Sequence, residues 1–139
     1  MRKIAGVLFG AAVVFTSTLP VTTSAWAAEI RIGVIAPSSG PIAAQGKRTD
    51  EGIRAGVAYV SRVKNNDLKL IQLDDASNPS LTARNAKKLI EQEQVDVLIG
   101  TGGVPGSLAL ATIAREAQVP LMSYTPIDLD PKTAEWGHT

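Results

Sequence analysis

Two adjacent carboxylates, Asp74 and Asp75, are the first residues whose type suggests chemistry, since paired acids can bind a metal or share a proton. They stand at the end of a predicted strand. Neighbouring residues of a strand point to opposite faces of the sheet, so the two carboxylates are not expected to converge on one ion. We interpret them as polar residues that cap a loop. His138 is the only histidine and has no cysteine partner, so no metal site is predicted.

A glycine-rich turn over residues 100–106 follows a predicted strand and leads into a helix, where a dinucleotide-binding fingerprint would lie. Gly100 and Gly102 match its first two glycines, but Pro105 stands in the place of the third, and the turn follows the third strand rather than the first. No cofactor is therefore predicted. The backbone N–H groups of residues 102–106 still favour a carboxylate or phosphate at a helix N-terminus.

The loop over residues 38–41 has two interpretations that its local sequence leaves open. Its hydroxyl and N–H groups suit an anionic ligand group, and Ser, Gly and Pro are equally usual in a turn that leads into a helix. No serine stands in a nucleophile-elbow pattern, so no catalytic residue is predicted.

Strands and helices alternate along the chain and position these residues. Apolar runs predict buried strands over residues 30–36, 68–73, 95–99 and 119–123, and helical spacing predicts helices over 46–64, over 79–94, and from the glycine-rich turn to about 117. A loop-like tail follows from residue 124. The order βαβαβαβ predicts an α/β fold, a doubly wound parallel sheet with helices on both faces.

Each predicted helix has an apolar stripe that should be buried. The stripes are Ile53, Val57, Val60 and Val63; Ala83, Ala86, Leu89 and Ile90; and Leu110, Ile113, Ala114 and Ala117. In such sheets ligands bind outside the carboxyl ends of the strands, near the topological switch point. The segments 37–46, 74–78, 100–107 and 123–128 reach that edge, so a binding site should be built from them.

Residues 1–27 have the layout of a cleaved secretory signal. Arg2 and Lys3 precede an uncharged apolar run over residues 4–15, and the Ala-Trp-Ala sequence ending at Ala27 supplies the cleavage site. The run is too short to span a membrane, which takes roughly 20 apolar residues. We expect cleavage after Ala27 and a periplasmic mature chain of residues 28–139.

Composition excludes several classes of protein. Without Arg2 and Lys3, 12 basic side chains face 13 acidic ones and form no basic cluster, so nucleic acid is not an expected partner. No later apolar run is long enough to span a membrane. The chain has no cysteine, which excludes disulfides and a lipid anchor on an N-terminal cysteine.

Several short motifs occur in a set order along the predicted strands and helices. They are Ile32-Gly33-Val34-Ile35, Ser39-Gly40-Pro41 with Gly46, the helix with Gly52 and Gly56, Asp74-Asp75-Ala76 with Asn78-Pro79, Lys88-Leu89-Ile90, Val95-Asp96-Val97-Leu98-Ile99-Gly100, and Pro120-Leu121-Met122-Ser123. This order resembles the N-terminal lobe of the leucine/isoleucine/valine-binding protein family, the type I periplasmic binding fold. The resemblance implies a two-lobed clamshell that closes on a small ligand and is read by an inner-membrane ABC permease. It also implies that residues 28–139 are an incomplete first lobe, in a fragment or truncated product.

The resemblance implies ligand contacts from three places in this lobe. Their residues are Ser39, Gln45, Gly103, Val104, Pro105, Thr125 and Ile127. The amino-acid binders of the family place hydroxyls where Val104 and Ile127 stand, so only backbone N–H groups remain there unless Ser107 or Thr125 substitutes. Our hypothesis is that the ligand is another small organic acid, an aromatic acid or an amide rather than an α-amino acid.

Three functions are compared on these grounds. A solute-binding protein of an ABC importer agrees with the export signal and the resemblance. An exported sensor that presents a ligand to a signalling receptor is the alternative, and neighbouring genes for a permease and ATPase or for a kinase would separate the two. An enzyme of the doubly wound class would need an intact glycine fingerprint or a catalytic constellation, and the sequence has neither.

Overall fold

The computed structural model of the chain describes residues 29–64, 67–127 and, as backbone, 137–138. The predicted signal at residues 1–27 lies outside the described residues. The elements are β1 (Ile30–Ala36), α1 (Ala43–Lys64), β2 (Leu68–Asp74), α2 (Pro79–Glu91), β3 (Val97–Gly100), α3 (Val104–Ala117), β4 (Leu121–Met122) and β5 (Gly137–His138). All strands pair in parallel in the order β2-β1-β3-β4-β5, which confirms the α/β fold class.

The strand order places the topological switch point between β1 and β3. From β1 the chain crosses through α1 to β2 on one side, and then returns through α2 to β3 on the other side. Right-handed crossovers in opposite directions put α1 on one face of the sheet and α2 on the other. The carboxyl ends of β1 and β3 therefore flank the crevice where such sheets bind ligands.

The face of the sheet covered by α2 and α3, the α2/α3 face, holds the larger core. Its buried residues are Ile35, Ala86, Leu89, Val95, Leu98, Leu110, Ala111, Ala114 and Leu121. Ile90 and Ile113 pack against this cluster while partly exposed, whereas Ala117 is exposed, so the predicted stripe of α3 is wrong at its last position. Two polar residues of α2 outside the predicted stripe, Thr82 and Asn85, are buried, whereas Ala83 of the predicted stripe is only half-buried.

The opposite face, the α1 face, is covered less completely. Ile32, Val34 and Ala36 are buried there, with Ile53 and Val57 of α1 packed against them. Further along α1 the predicted stripe is wrong, because Val60 and Val63 are 39% and 54% exposed. A helix of 22 residues is about 33 Å long, while a strand of seven residues spans only about 23 Å, so the strands are too short to cover the whole length of α1.

Several element boundaries differ from the predicted ones. Helix α1 begins at Ala43 rather than Gly46, and α2 ends at Glu91 because the chain turns there and the Val95 N–H bonds the Leu89 carbonyl. Strand β3 consequently starts at Val97 and continues through Gly100. The tail predicted as loop-like contains β5, which extends the sheet beside β4.

Candidate functional site

The four segments predicted to reach the carboxyl edge of the sheet are joined there by hydrogen bonds and close contacts. The loop after β1 bonds to Asp74 at the end of β2, and the turn after β3 bonds to Asp75 beside it. The segment after β4 reaches the turn after β3 through the Thr125 hydroxyl, which donates to the Thr101 carbonyl. The segments therefore form one polar cluster at the switch point.

Asp74 holds the loop after β1. Its Oδ1 accepts the N–H groups of Ser38 at 2.8 Å and Ala76 at 2.9 Å, with a longer bond of 3.3 Å from the Ser39 N–H. Its Oδ2 accepts the Ser39 hydroxyl at 2.6 Å. Burial by itself would raise the pKa of Asp74, but the hydrogen bonds from Ser39, Ala76 and Ser38 outweigh it and hold that pKa below its usual value.

Glycines allow the loops to approach one another closely. Gly40 has φ +81°, and a Cβ there would overlap the Ala76 carbonyl oxygen of the loop after β2. A Cβ on Gly102 would lie 2.9 Å from Ile42 Cδ1 and 3.0 Å from Pro37 Cγ, so the turn after β3 packs directly on the loop after β1. The relative positions of the three loops are fixed by backbone contact as well as by side chains.

Asp75 lies on the other side of the strand end and is 1% exposed. Its Oδ2 accepts the hydroxyls of Thr101 at 2.5 Å and Thr82 at 2.7 Å, and its Oδ1 accepts the Ser77 N–H at 3.1 Å. Asp74 and Asp75 thus have separate partners, in agreement with their predicted role as loop-capping residues. A buried carboxylate needs such donors because an unpaired charge away from water is costly.

The sequence interpretation missed Thr82 and Thr101. Thr101 stands between Gly100 and Gly102, and its Oγ1 also accepts the Gly102 N–H at 2.7 Å. A threonine enclosed by glycines in a tight turn is a usable signal for a side chain that bonds its own loop. Thr82 gives no comparable signal, because only the folded chain brings the first turns of α2 against the end of β2.

Tyr124 packs behind this cluster. Its hydroxyl lies 3.4 Å from the Ile35 carbonyl oxygen. Burial raises the pKa of Tyr124 to about 12; the Thr101 hydrogen bond lowers it in part, and the nearby Asp75 charge raises it further. Tyr124 is therefore neutral over the physiological range and acts as a packed donor rather than as an acid.

The sequence suggested Ser107 and Thr125 as residues whose hydroxyls could donate to a ligand, but both hydroxyls already donate within the protein. The Ser107 hydroxyl is fully buried and donates to the Thr101 carbonyl oxygen at 3.2 Å. The Thr125 hydroxyl, on a half-buried residue, donates to the same oxygen. Both protons are committed to a backbone acceptor inside the protein.

Helix α3 begins beside this cluster with an open first turn. Gly103 is the N-cap residue, in extended conformation, and supplies no side-chain bond to the first N–H groups of the helix. Those groups have no partner within a helix and need one outside it. Val104 is 49% exposed and Pro105 is exposed, so this turn is accessible.

A small pocket of about 100 Å³ lies under the same turn. Gly103 and Pro105 border it, and the residues with polar side chains that line it are Asp75, Ser77, Thr82 and Thr101. The Ser77 hydroxyl oxygen is buried and has no hydrogen-bond partner among the described residues. The Asp75 carboxylate makes the pocket unfavourable for an anion, so an anionic group fits the rim at Gly103 and Val104 better than the interior.

The two remaining predicted residues lie further from these bonds. Gln45 is exposed in the first turn of α1, where its carbonyl accepts the Thr49 hydroxyl. Ile127 is half-buried, and its side chain packs against the core of the α2/α3 face. The Ile127 side chain is therefore used in core packing, and a ligand contact through its backbone stays a prediction.

Residues 29–64, 67–127 and 137–138 contain no group of three or more histidine, cysteine or acidic side chains arranged to hold a metal ion. No helix in this part of the chain has the length and apolar character needed to cross a membrane.

A sequence profile of the family described as periplasmic binding protein matches residues 29–138. Among curated proteins, the chain is similar to Leu/Ile/Val-binding protein homolog 6 of Brucella abortus, with 31% identity over 102 residues. That alignment covers 72% of this chain and 26% of the relative.

Two solved structures extend the comparison. A leucine-binding protein from Thermotoga maritima is 31% identical with a TM-score of 0.68, over 78% of this chain and 31% of that chain. A solute-binding protein of an ABC transporter from Rhodopseudomonas palustris BisB5, in complex with 3,4-dihydroxybenzoic acid, is 32% identical with a TM-score of 0.61, over 68% of this chain and 26% of that chain. The chain thus spans between a quarter and a third of the length of these relatives.

Proposed function

This chain belongs to the periplasmic binding protein family, and on that premise we propose that it acts as the solute-binding component of an ABC importer. The observation that carries the proposal is the polar cluster at the switch point, where loops after β1, β2, β3 and β4 meet beside the accessible first turn of α3. This is the edge at which an open α/β sheet binds a ligand. The family consists of solute-binding proteins rather than enzymes, which supports a binding role without catalysis.

We propose a small carboxylic acid as the ligand, bound at the rim of the pocket by the backbone N–H groups of Gly103 and Val104 at the start of α3, since Pro105 has no N–H. The hydroxyls of Ser39, Thr101 and Thr125 already donate to acceptors inside the protein. Backbone donors at a helix N-terminus are then the available partners for a carboxylate. The relative that binds 3,4-dihydroxybenzoic acid supports an acid without an α-ammonium, and the relative named for leucine makes an amino acid the competing ligand.

Ligand screening tests the proposal. The protein from its complete reading frame is titrated with leucine, isoleucine, valine, 3,4-dihydroxybenzoate, short aliphatic acids and their amides, and thermal unfolding is recorded. A ligand at about 100 times its Kd stabilises the native state by about 2.7 kcal/mol, which gives a clear rise in Tm. No rise with any compound would contradict the binding function. Tight binding of leucine or isoleucine would contradict only the proposed ligand class.

A pair of variants tests the proposed contact. Val104→Pro removes the backbone N–H of the first residue of α3, a position where proline is compatible with the helix. The extended Gly103 before it also suits a following proline. Val104→Ala removes most of the side chain and keeps the N–H. We expect Val104→Pro to weaken binding of an acid about tenfold or more, as for a hydrogen bond to a charged group, and Val104→Ala to change it little. Equal effects would contradict the backbone contact.

The export signal and periplasmic location are part of the same proposal. Residues 1–27 carry the sequence pattern of a signal peptide, and the family implies an exported protein. Osmotic-shock fractionation followed by mass spectrometry should recover a mature N-terminus at Ala28. An intact Met1 in the membrane fraction would contradict cleavage. Co-purification with a permease would test the ABC partner directly.

A further inference from the structure

The hydrogen bonds from the loop after β1 to Asp74 determine which donor and acceptor groups of the loop a ligand can reach. Both the Ser38 N–H and the Ser39 N–H point to Asp74 Oδ1, and the Ser39 hydroxyl donates to Oδ2. The two N–H groups and the Ser39 hydroxyl are therefore used within the protein. An anionic ligand group gains nothing from them while the Asp74 carboxylate is in place.

The Ser39 hydroxyl oxygen remains available as a hydrogen-bond acceptor. A hydroxyl has one proton and two acceptor lone pairs, and the proton of Ser39 is committed to Asp74. Ser39 is exposed at the carboxyl edge of the sheet, in the loop that packs on the turn before α3. Its oxygen can accept an N–H or O–H from a bound molecule but cannot donate to one without losing the bond to Asp74.

We propose that Asp74 is a positioning residue for the ligand, because it fixes the loop after β1 and orients the Ser39 hydroxyl as an acceptor for a hydrogen-bond donor on the ligand. The inference rests on the proposed binding function and deepens it. The ligand then carries two features: a carboxylate for the first turn of α3 and a hydroxyl or amine that donates to Ser39.

Two features of the loop strengthen the argument. Gly40 lies against the Ala76 carbonyl, so the loop after β1 packs directly on the segment that follows Asp74. The same carboxylate oxygen that holds Ser38 also accepts the Ala76 N–H, which couples the positions of the two loops. The Asp74 side chain is exposed and its hydrogen bonds all go to loop residues, so its removal acts on the loops first.

Two matched pairs of probes test the proposal: 3,4-dihydroxybenzoate with benzoate, and isoleucine with 3-methylpentanoate. Each second compound lacks the donor group and keeps the carboxylate. For the pair that the wild-type protein binds, Asp74→Asn and Ser39→Ala should each weaken the donor-bearing compound about tenfold, as for loss of a charge-assisted hydrogen bond or of its orientation. Binding of the donor-free compound should change less than threefold, because its carboxylate contact is elsewhere.

Hydrogen exchange of the Ser38 and Ser39 amides gives a readout without ligand. Asp74→Asn should increase exchange at these two amides while the amides of β3 and α3 keep their protection. Asp50→Asn is the control, since it also replaces a hydrogen-bonded carboxylate, the partner of Arg54 on α1, which makes no hydrogen bond to Ser38, Ser39 or Ala76. It should leave both exchange and affinity unchanged.

The outcomes separate this inference from the proposed function. If the wild-type protein binds neither pair, the role of Asp74 in orienting Ser39 towards such donors fails, while the wider ligand screen still decides the proposed binding function. If the wild type binds and Asp74→Asn weakens both compounds of the pair equally, Asp74 is merely structural and the inference is wrong. Unchanged exchange at Ser38 and Ser39 in Asp74→Asn would also overturn it.

Discussion

The two faces of the sheet are packed to different extents. On the α2/α3 face, two helices enclose Leu89, Leu98 and Leu110, and each of these side chains has no exposed surface. On the α1 face, a single helix covers the strands, and Gly46 is the only residue of α1 that is buried. Met122 of β4 is 57% exposed beyond it.

This difference indicates where the stability of the described residues resides. Hydrophobic stabilisation scales with the apolar area removed from water, so the enclosed face contributes most of it. The loops of the polar cluster connect to both faces: the cluster involves Thr82 of α2, while the loop after β1 leads into α1. The site is therefore anchored firmly on one side and more loosely on the other.

The largest expected effect is that of Leu89→Ala. Removing a fully buried leucine should lower the free energy of unfolding by about 2–5 kcal/mol, measured by urea unfolding of the protein from its complete reading frame. Val63→Ala, on the exposed part of α1, should cost less than about 0.5 kcal/mol. Equal losses would show that the two faces are packed alike.

Replacing two glycines of α1 by alanine should change the stability in opposite directions. A Cβ on Gly46 would overlap the Pro37 carbonyl oxygen, so Gly46→Ala forces backbone to move and should cost about 1–3 kcal/mol. A Cβ on Gly56 would meet no other atom within 4 Å, and Gly56→Ala should stabilise the helix by about 0.5–1 kcal/mol. Thermal unfolding of the two variants checks both signs, and destabilisation by Gly56→Ala would mean that this part of α1 is covered.

The carboxylates of Asp75, in the buried cluster, and Asp50, on α1, should contribute different amounts to the free energy of unfolding. Asp75→Asn replaces a buried charge that accepts two threonine hydroxyls, and should cost about 1–3 kcal/mol. Asp50→Asn breaks a surface pair with Arg54 on α1 and should cost less than about 1 kcal/mol. Urea unfolding of both variants measures the difference, and a smaller loss for Asp75→Asn would contradict the role given to the buried cluster.

The smallest expected effect is the pH dependence of the Asp74 contribution. The pKa of Asp74 is lower in the folded protein than its ordinary value of 3.8, so the ionised form is favoured by folding. Its contribution is fully present above the unfolded-state pKa and is lost as the pH falls through the lower folded-state pKa. The difference in unfolding free energy between wild type and Asp74→Asn should be constant from pH 7 to about 5 and diminish as the pH falls below the ordinary value of 3.8. A difference that disappeared already at pH 5 would contradict the lowered pKa.

Much of the fold was predictable because its signals are local. The apolar run of β1 was predicted at its observed bounds, and Asn78 caps α2 before Pro79 as expected, its Oδ1 accepting the Ser80 N–H at 2.9 Å. The exposure of Val60 and Val63 was not predictable, since helical spacing states which residues share a face and not how far the opposing strand extends. The β5 strand has only two residues, too few for a periodic pattern.

Some features of the candidate site were likewise predictable from the sequence, and others were not. The sequence by itself determined which segments reach the carboxyl edge, because the βαβ order of a parallel sheet places every strand end on one side. It also determined that Asp74 and Asp75 face apart, because successive residues of a strand alternate. Only the tertiary structure decided which groups satisfy them: Thr82 and Thr101 for Asp75, and the loop after β1 for Asp74. Those partners lie between 7 and 36 residues away along the chain, and hydrogen bonds over such separations depend on strand order and helix packing, which no local pattern records.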